Sequence, residues 1–426
     1  MGVVAVGVLT AGVLAAVFGV IPFAQDNGAK QDLAAINTAQ GVQMATAGSY
    51  EDKEGLQNAG TLGALPAMMT ISVLMGGEGY CASVISTTGK SFYVSSEDSN
   101  PREGACPGGS PAPTVIDYAK PAEWTTQDGL GVGQWQAVAT SDDGRRLVAG
   151  QIGGGYIYTS TDAGGSWTRK DSAGNNNWAT IDSSADGLTL VAGTYSNAGG
   201  GRIHVSRDGG LSWAVKRPDG VGGPTSWKSL SLSSDGSVIL AAPDRTSGYL
   251  YLSKDFGENW TKLTSSPLGA SNWKSVSMSE DGVLLFAGAA NGQVFTSADS
   301  GASWTMRAQA FPGLASVASS ATGRTLIVGT NTFLYTSADA GESWAKQNVP
   351  SAMWQAVATS ADGTKLIAVQ GRETGSVYTS ADSGETWTAQ IAAKKGNWTS
   401  AGISRDGSQF IGGQLGGNVL VGRYGS

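Results

Sequence analysis

The chain is poor in the side chains that most often carry out chemistry. It holds one histidine, His204, and two cysteines, Cys81 and Cys106. Two thiolates and a distant imidazole do not fill a tetrahedral zinc shell, so no metal site is read. No Gly-x-Ser-x-Gly elbow, His-Glu-x-x-His pair or phosphate-binding loop occurs, and no cofactor is implied. Charged residues make up only 14% of the chain, which argues against a coiled coil or a disordered tail. Positive charge is nowhere concentrated. Residues 1–118 carry four Lys/Arg against ten Asp/Glu, and the remainder carries 23 against 24, which leaves no basic footprint for nucleic acid. Before Asp26 there is no charged side chain at all, so the basic start of a secretory signal peptide is missing.

Glycine, by contrast, is abundant at 63 residues, as in all-β chains with many tight turns. Its distribution reveals a repeat. Six segments share the pattern S-x-D-x-G-x-x-W: STDAGGSW (160–167), SRDGGLSW (206–213), SKDFGENW (253–260), SADSGASW (297–304), SADAGESW (337–344) and SADSGETW (380–387). Their tryptophans are 46, 47, 44, 40 and 43 residues apart, a period typical of repeat architectures. Each period opens with a short strand such as WQAVATS or WKSVSMS. A turn follows, usually Asp-Gly and once Thr322-Gly323; Asp-Gly suits a hairpin whose two central residues both take positive φ. A second and a third strand come next, then the aspartate turn and a fourth strand. Four antiparallel strands per period make a propeller blade. The seventh period stops after its third strand, and Glu123–Thr126 reads like the missing fourth. A seven-bladed ring over 123–426, closed by that strand, is the expectation. All 13 tryptophans fall at two repeat positions, and the one empty slot holds Leu314.

The turn resembles the Asp-box, or BNR, repeat of sialidases, sortilin-type receptors and photosystem assembly propellers. The resemblance covers the repeat segment and implies the β-propeller fold without an activity, because the boxes are peripheral fold elements in that family. Asp162, Asp208, Asp255, Asp299, Asp339 and Asp382 are accordingly read as fold-defining. A sialidase would need an arginine cluster and a Tyr–Glu pair. The Arg-Ile-Pro motif of such domains is absent, and the nearest string, Lys216-Arg217-Pro218, lies between blades. His204 is read as a strand residue. No enzyme is expected.

In a four-stranded meander the Asp-Gly and aspartate turns share one face. The other face carries irregular loops: NNN (175–177), YSNAGGGR (195–202), RPDGVGGPTS (217–226), PDRTSG (243–248) and GRETG (371–375). Variable loops on one face of a repeat protein mark the binding side. Tyr195, Asn197, Arg202, Asp244, Arg245, Arg372 and Glu373 are the candidate ligand-facing residues there. Trp135, Trp178, Trp227, Trp273, Trp354 and Trp398 are expected to ring the central channel, as packing residues rather than sugar platforms.

The first third reads differently. Gly2–Ala24 is apolar and would span a bilayer as a helix of about 34 Å. Beyond Pro22, Leu33, Ile36, Gln40, Gln43 and Met44 fall at helical spacing, so one long helix over 1–50, kinked at Pro22, is expected. Short alternating strands follow: MMTISVLM, YCASVIST and KSFYVSS. The two cysteines, flanked by Gly, Ser and Pro behind an apolar start, suggest an exported disulfide, with two free thiols as the alternative.

This arrangement resembles mature type IV pilins, and GYC…S…GK-x-F-x-V looks most like those of Gram-positive bacteria. The resemblance covers residues 1–110. It implies a pilin-like α+β domain over 1–106 with a Cys81–Cys106 loop, a Pro/Gly linker over 107–122, and Met1 as an N-methylated mature terminus. It also implies a homo-oligomeric helical filament packed through N-terminal helices, pilus assembly machinery as partner, and an extracellular filament with a pool in the cytoplasmic membrane. One departure from that family is Ala5, where its members usually have Glu. The full expectation is a pilin whose head carries a seven-bladed propeller displayed for adhesion or capture of a surface ligand, a glycan among the candidates. The alternatives are a membrane-anchored propeller acting as receptor or assembly factor, and a tethered glycosidase.

Overall fold

The computed structural model describes residues 69–73, 80–85, 91–95, 102–103, 118 and 122–424, without 197–199 and 219–225. The chain divides into two compact units, residues 1–116 with Ser426, and residues 117–425. In the first unit the described residues form one antiparallel meander: Met69–Val73, Tyr80–Ile85, Ser91–Ser95 and Arg102–Glu103. Val94 is fully buried in it, and Cys81 pairs across the sheet with Ser72 and Ser95.

The expected α+β class is corrected. The described residues contain no α-helix, only two three-residue 3₁₀ turns at Asp128–Leu130 and Asp171–Ala173. They build sheets throughout, and none of their helical turns is long and apolar enough to cross a membrane. The helix expected over 1–50, with Met1 and Pro22, lies outside the described residues, as do Cys106 and hence the Cys81–Cys106 pairing.

The second unit is a β-propeller. Five four-stranded antiparallel sheets begin at Trp178, Trp227, Trp273, Leu314 and Trp354. Two further blades, beginning at Gly133 and Trp398, are joined into one sheet because Gln409–Gly417 also pairs with Gly133–Thr140. Counted from Gly133, these are blades 1 to 7. Blade 7 takes its fourth strand from the front of the chain: Glu123–Thr126 runs antiparallel to Val419–Arg423, with Trp124 opposite Gly422. Trp124 stacks on Phe410 and meets Trp398 edge-on. Tyr118 and Ala122, within the stretch expected as linker, belong to this unit. Tyr118 Oη donates to the Asp406 carbonyl at 2.8 Å, and the Ala122 amide donates to Gln390 Oε1 at 3.0 Å.

A second closure lies at one end of the channel. The residue after the serine that recurs in the first turn of every blade donates its amide to the same residue of the next blade. The ring runs Asp142, Ala185, Ser234, Glu280, Ala321, Ala361, Arg405 and back to Asp142, with every bond between 2.7 and 3.0 Å. Arg405 reinforces it by pairing with Asp142 at 3.0 Å and with Glu280 of blade 4.

The first turns depart from the two-residue geometry anticipated for Asp-Gly. Gly144 has φ +68°, but Asp143 is not in the left-handed region. The loop is longer, running from the Ser141 amide, bonded to the Arg146 carbonyl, through a Gly144-to-Ser141 turn. The aspartate instead accepts from Ser141 Oγ at 2.6 Å and from the Arg145 amide at 2.9 Å. This is the side-chain mimicry of a turn that Asp provides.

The six aspartate turns are built alike. In the first, Ser160 Oγ donates to Asp162 and accepts the Gly164 amide, both at 2.8 Å. Asp162 also receives the Ser166 amide at 2.8 Å and its hydroxyl at 2.7 Å. Each aspartate turn is tied to the first turn of its own blade, as by Ala163 amide to Arg145 carbonyl at 2.8 Å, so both turns share one face. The hydroxyl four residues on is the leading cause that holds Asp162, Asp299 and Asp339 down at about 2.

Two outcomes follow. Trp124→Ala opens the ring at its seam. A fully buried Trp→Ala costs about 3–5 kcal/mol, and half-buried Trp124 is expected to cost roughly 2, read from the midpoint of denaturant unfolding. The depressed carboxylates contribute stability that is fully present above the unfolded value of about 4 and is lost as pH falls toward about 2. Unfolding midpoints measured between about pH 5 and pH 2 should fall through that window, and Asp299→Asn should flatten the fall.

Candidate functional site

The tryptophans expected around the channel do not line it. Trp135, Trp178, Trp227, Trp273, Trp354 and Trp398 are at most 1% exposed and pack between blades. Five meet the aromatic ring of their own third strand edge to face: Trp135 with Tyr158, Trp178 with His204, Trp227 with Tyr251, Trp273 with Phe295 and Trp354 with Tyr378. His204 thus occupies an aromatic core position. Burial pushes its imidazole down to about 4, with the Arg202 charge adding to the effect, so it is neutral and suited to packing. In blade 5, where Leu314 replaces tryptophan, fully buried Phe311 packs on Tyr335 and Trp344, both at 4.9 Å.

The channel itself has a cavity of about 320 Å³ lined by the seven first strands. In every blade the register slips by one residue just after the tryptophan, or after Leu314 in blade 5. The slipped positions Gln136, Lys228, Lys274, Gln355 and Thr399 form a polar layer of the lining. Further in, side chains serve the unpaired edge of the neighbouring strand. Ser229 Oγ accepts the Val276 amide at 3.1 Å, Ser275 Oγ that of Val317 at 3.0 Å, and Ser277 Oγ that of Ser319 at 3.0 Å.

Asp182, not singled out in the sequence, is the one carboxylate in this lining. Its Oδ2 accepts the Leu232 amide at 2.8 Å and its Oδ1 the Ser183 amide at 2.9 Å. The surrounding wall desolvates it and pushes the carboxyl up to about 6 despite those two bonds. It does for blade 3 what Ser277 does for blade 5.

On the face of variable loops a second cavity of about 420 Å³ opens at blades 2, 3 and 4. Tyr195, Ser196, Ser226, Asp244, Arg245, Thr246, Asn272 and Lys274 line it, and Lys274 also lines the channel. Of the sequence candidates it gathers Tyr195, Asp244 and Arg245. Arg202 is exposed on blade 2 and lines neither cavity; its amide donates to Thr194 Oγ1 at 2.9 Å. Arg372 and Glu373 are exposed on blade 6, with Arg372 in the left-handed region at φ +104°, and line neither cavity. Asn197 lies outside the described residues. The loops are held to the connections between blades by isolated bridges, Tyr195 with Ser226 and Gly248 with Ser271. Among the described residues no group of three His, Cys, Asp or Glu could hold a metal.

Asp182 yields a signed expectation. Its raised folded value means that stability falls as pH rises from about 4 to about 6, because the folded state must then give up a proton that it holds tightly. Asp182→Asn keeps an acceptor for the Leu232 amide and should gain stability relative to the parent over that window. Asp182→Ala leaves the amide unpaired and should lose roughly 1–2 kcal/mol. Thermal unfolding at several pH values distinguishes the two.

Compared with known protein families and with curated proteins, the sequence gave no match. Among solved structures the chain is similar to YCF48 from Cyanidioschyzon merolae, with a TM-score of 0.52 and 17% identity. That likeness covers 70% of this chain and 98% of the other, and it is a likeness of fold.

Proposed function

We propose that the chain is a subunit of an extracellular type IV pilus-like filament and that it displays its propeller for adhesion or ligand capture. The observation that carries this reading is the order of parts. An apolar segment, Gly2–Ala24, stands first in the sequence. A small antiparallel sheet, Met69–Glu103, follows. A closed ring then presents an open polar cleft on its face of variable loops. A ring of this kind offers a ligand a rigid frame, because the loops that line the cleft are pinned at their bases. Copies of the chain associate through the apolar segment, membrane machinery assembles them, and the ligand sits on an environmental or host surface.

Immunogold electron microscopy of producing cells, with antibodies raised against the propeller, tests the reading. Decorated filaments are expected. Label confined to the cell membrane, with no filament containing the chain, sinks it in favour of a membrane-held receptor.

A further inference from the structure

The cleft at blades 2, 3 and 4 brings two cationic side chains, Arg245 and Lys274, into one lining with a tyrosine ring and a carboxylate. Some cations elsewhere have partners: Lys216 pairs with Glu258 and Arg307 with Glu342, each at 2.6 Å, and Arg169 pairs with Asp171 at 2.8 Å. Others, such as Arg145, Lys254 and Lys394, stand singly with no side-chain partner among the described residues. Lys262 and Lys346 lie over the rings of Tyr249 and Phe333. The side chains of Arg245 and Lys274 have no hydrogen bond or ion pair among the described residues, and both line the cleft. Lys228 is in the same condition at the adjoining channel wall.

The frame around these free cations is fixed. The Asp244 amide donates to the Ser226 carbonyl at 2.9 Å, the Ser196 amide to Ser226 Oγ at 3.1 Å, and the Tyr195 amide to the Asn177 carbonyl at 2.8 Å. Tyr195 keeps 37% of its surface exposed, enough to offer a ring face. Asn272, Ser196 and Thr246 supply amide and hydroxyl groups, and the Asp244 carboxylate supplies an acceptor with no side-chain partner among the described residues.

We infer that this cleft is a subsite for a carboxylate-bearing sugar, a uronate unit of an acidic polysaccharide. A sugar ring stacks on Tyr195 through its C–H face. Its carboxylate takes charge-assisted hydrogen bonds from Arg245 and Lys274, and its hydroxyls donate to Asp244 and exchange bonds with Asn272. A phosphate dianion fits less well, because Asp244 stands in the same cleft and repels the second charge. An uncharged sugar would leave both cations of the cleft without a charged partner. This deepens the ligand-capture reading and rests on it for the setting alone, since binding does not require a filament.

The test uses the purified full chain, titrated by calorimetry with oligogalacturonate and with the same oligosaccharide methyl-esterified, which removes the charge and keeps the ring. The acid form should bind and the ester roughly tenfold or more weakly, the loss expected for a hydrogen bond to a charged group. Lys274→Gln and Arg245→Gln should each weaken the acid form by a similar factor and leave the ester unchanged. Tyr195→Ala should weaken both, and Lys274→Arg should retain binding as a control for folding. Equal affinity for acid and ester, indifference to both cation substitutions, or no binding of either overturns the inference. So does tight binding of a sulfated polysaccharide that survives both substitutions, which marks a general polyanion effect. Labelled filaments that fail to bind uronate refute this inference alone, and uronate binding without filaments refutes the assembly reading alone.

Discussion

A ring of sheets is stable only when it is closed. An open arc leaves one blade with an unpaired edge and an uncovered face, and every other contact then depends on a seam that water can enter. Here the seam is held at two radii. At the outside, Glu123–Thr126 supplies the last strand of blade 7 and Trp124 covers Phe410. At the inside, seven backbone bonds return to their origin at Asp142. The inner closure needs no particular side chain, which explains why residues as different as Ala185, Glu280 and Arg405 occupy it. The serine repeated beside each of them is what fixes the turn: Ser141, Ser184, Ser233, Ser279, Ser320, Ser360 and Ser404 are all at most 2% exposed.

The propeller was legible because its elements repeat, and repetition separates fold chemistry from accident. A tryptophan at two fixed positions and an aspartate in each turn are demands of packing and of backbone satisfaction. The exceptions are instructive for the same reason. Leu314 leaves a gap that Phe311 fills from the preceding loop, and His204 stands where four other blades have tyrosine and one phenylalanine. The Asp-Gly turns depart in detail from a two-residue hairpin. The pair suggested two left-handed residues, whereas the serine ahead of it lengthens the loop and leaves the left-handed conformation to glycine alone.

The site was legible only in part. Loop irregularity points to the loops that carry Tyr195, Asp244 and Arg245, which line one cavity, but cannot say which loops meet; that depends on which blades adjoin. Arg372 and Glu373 sit on an equally irregular loop and line neither the channel nor the cleft. Lys274 and Asp182 were invisible for the opposite reason. Both lie inside repeat strands: the other blades have Gln, Ala, Thr and one further lysine, Lys228, at the position of Lys274, and Ala, Ser or Gly at that of Asp182, and only the three-dimensional channel makes a charge there meaningful. The tryptophans open the innermost strands, which suggests the channel, but the register slip beside them turns the next residue to that role and leaves the indole between blades.

The position of the seam also fixes where the ring would bear mechanical load. Both ends of the propeller meet in blade 7, so tension arriving along the chain from residue 117 enters through Tyr118 and a four-residue strand before it reaches any other blade. Tyr118 is clasped there by the Asp406 carbonyl, by Tyr424 at 5.0 Å between rings, and by Lys365 Nζ at 4.4 Å from its ring centre. A ligand held at blades 2, 3 and 4 would pull on the far side of the circle. The force would then be shared along both arcs of the inner hydrogen-bonded ring, and the clasp at Tyr118 would be the first contact to yield.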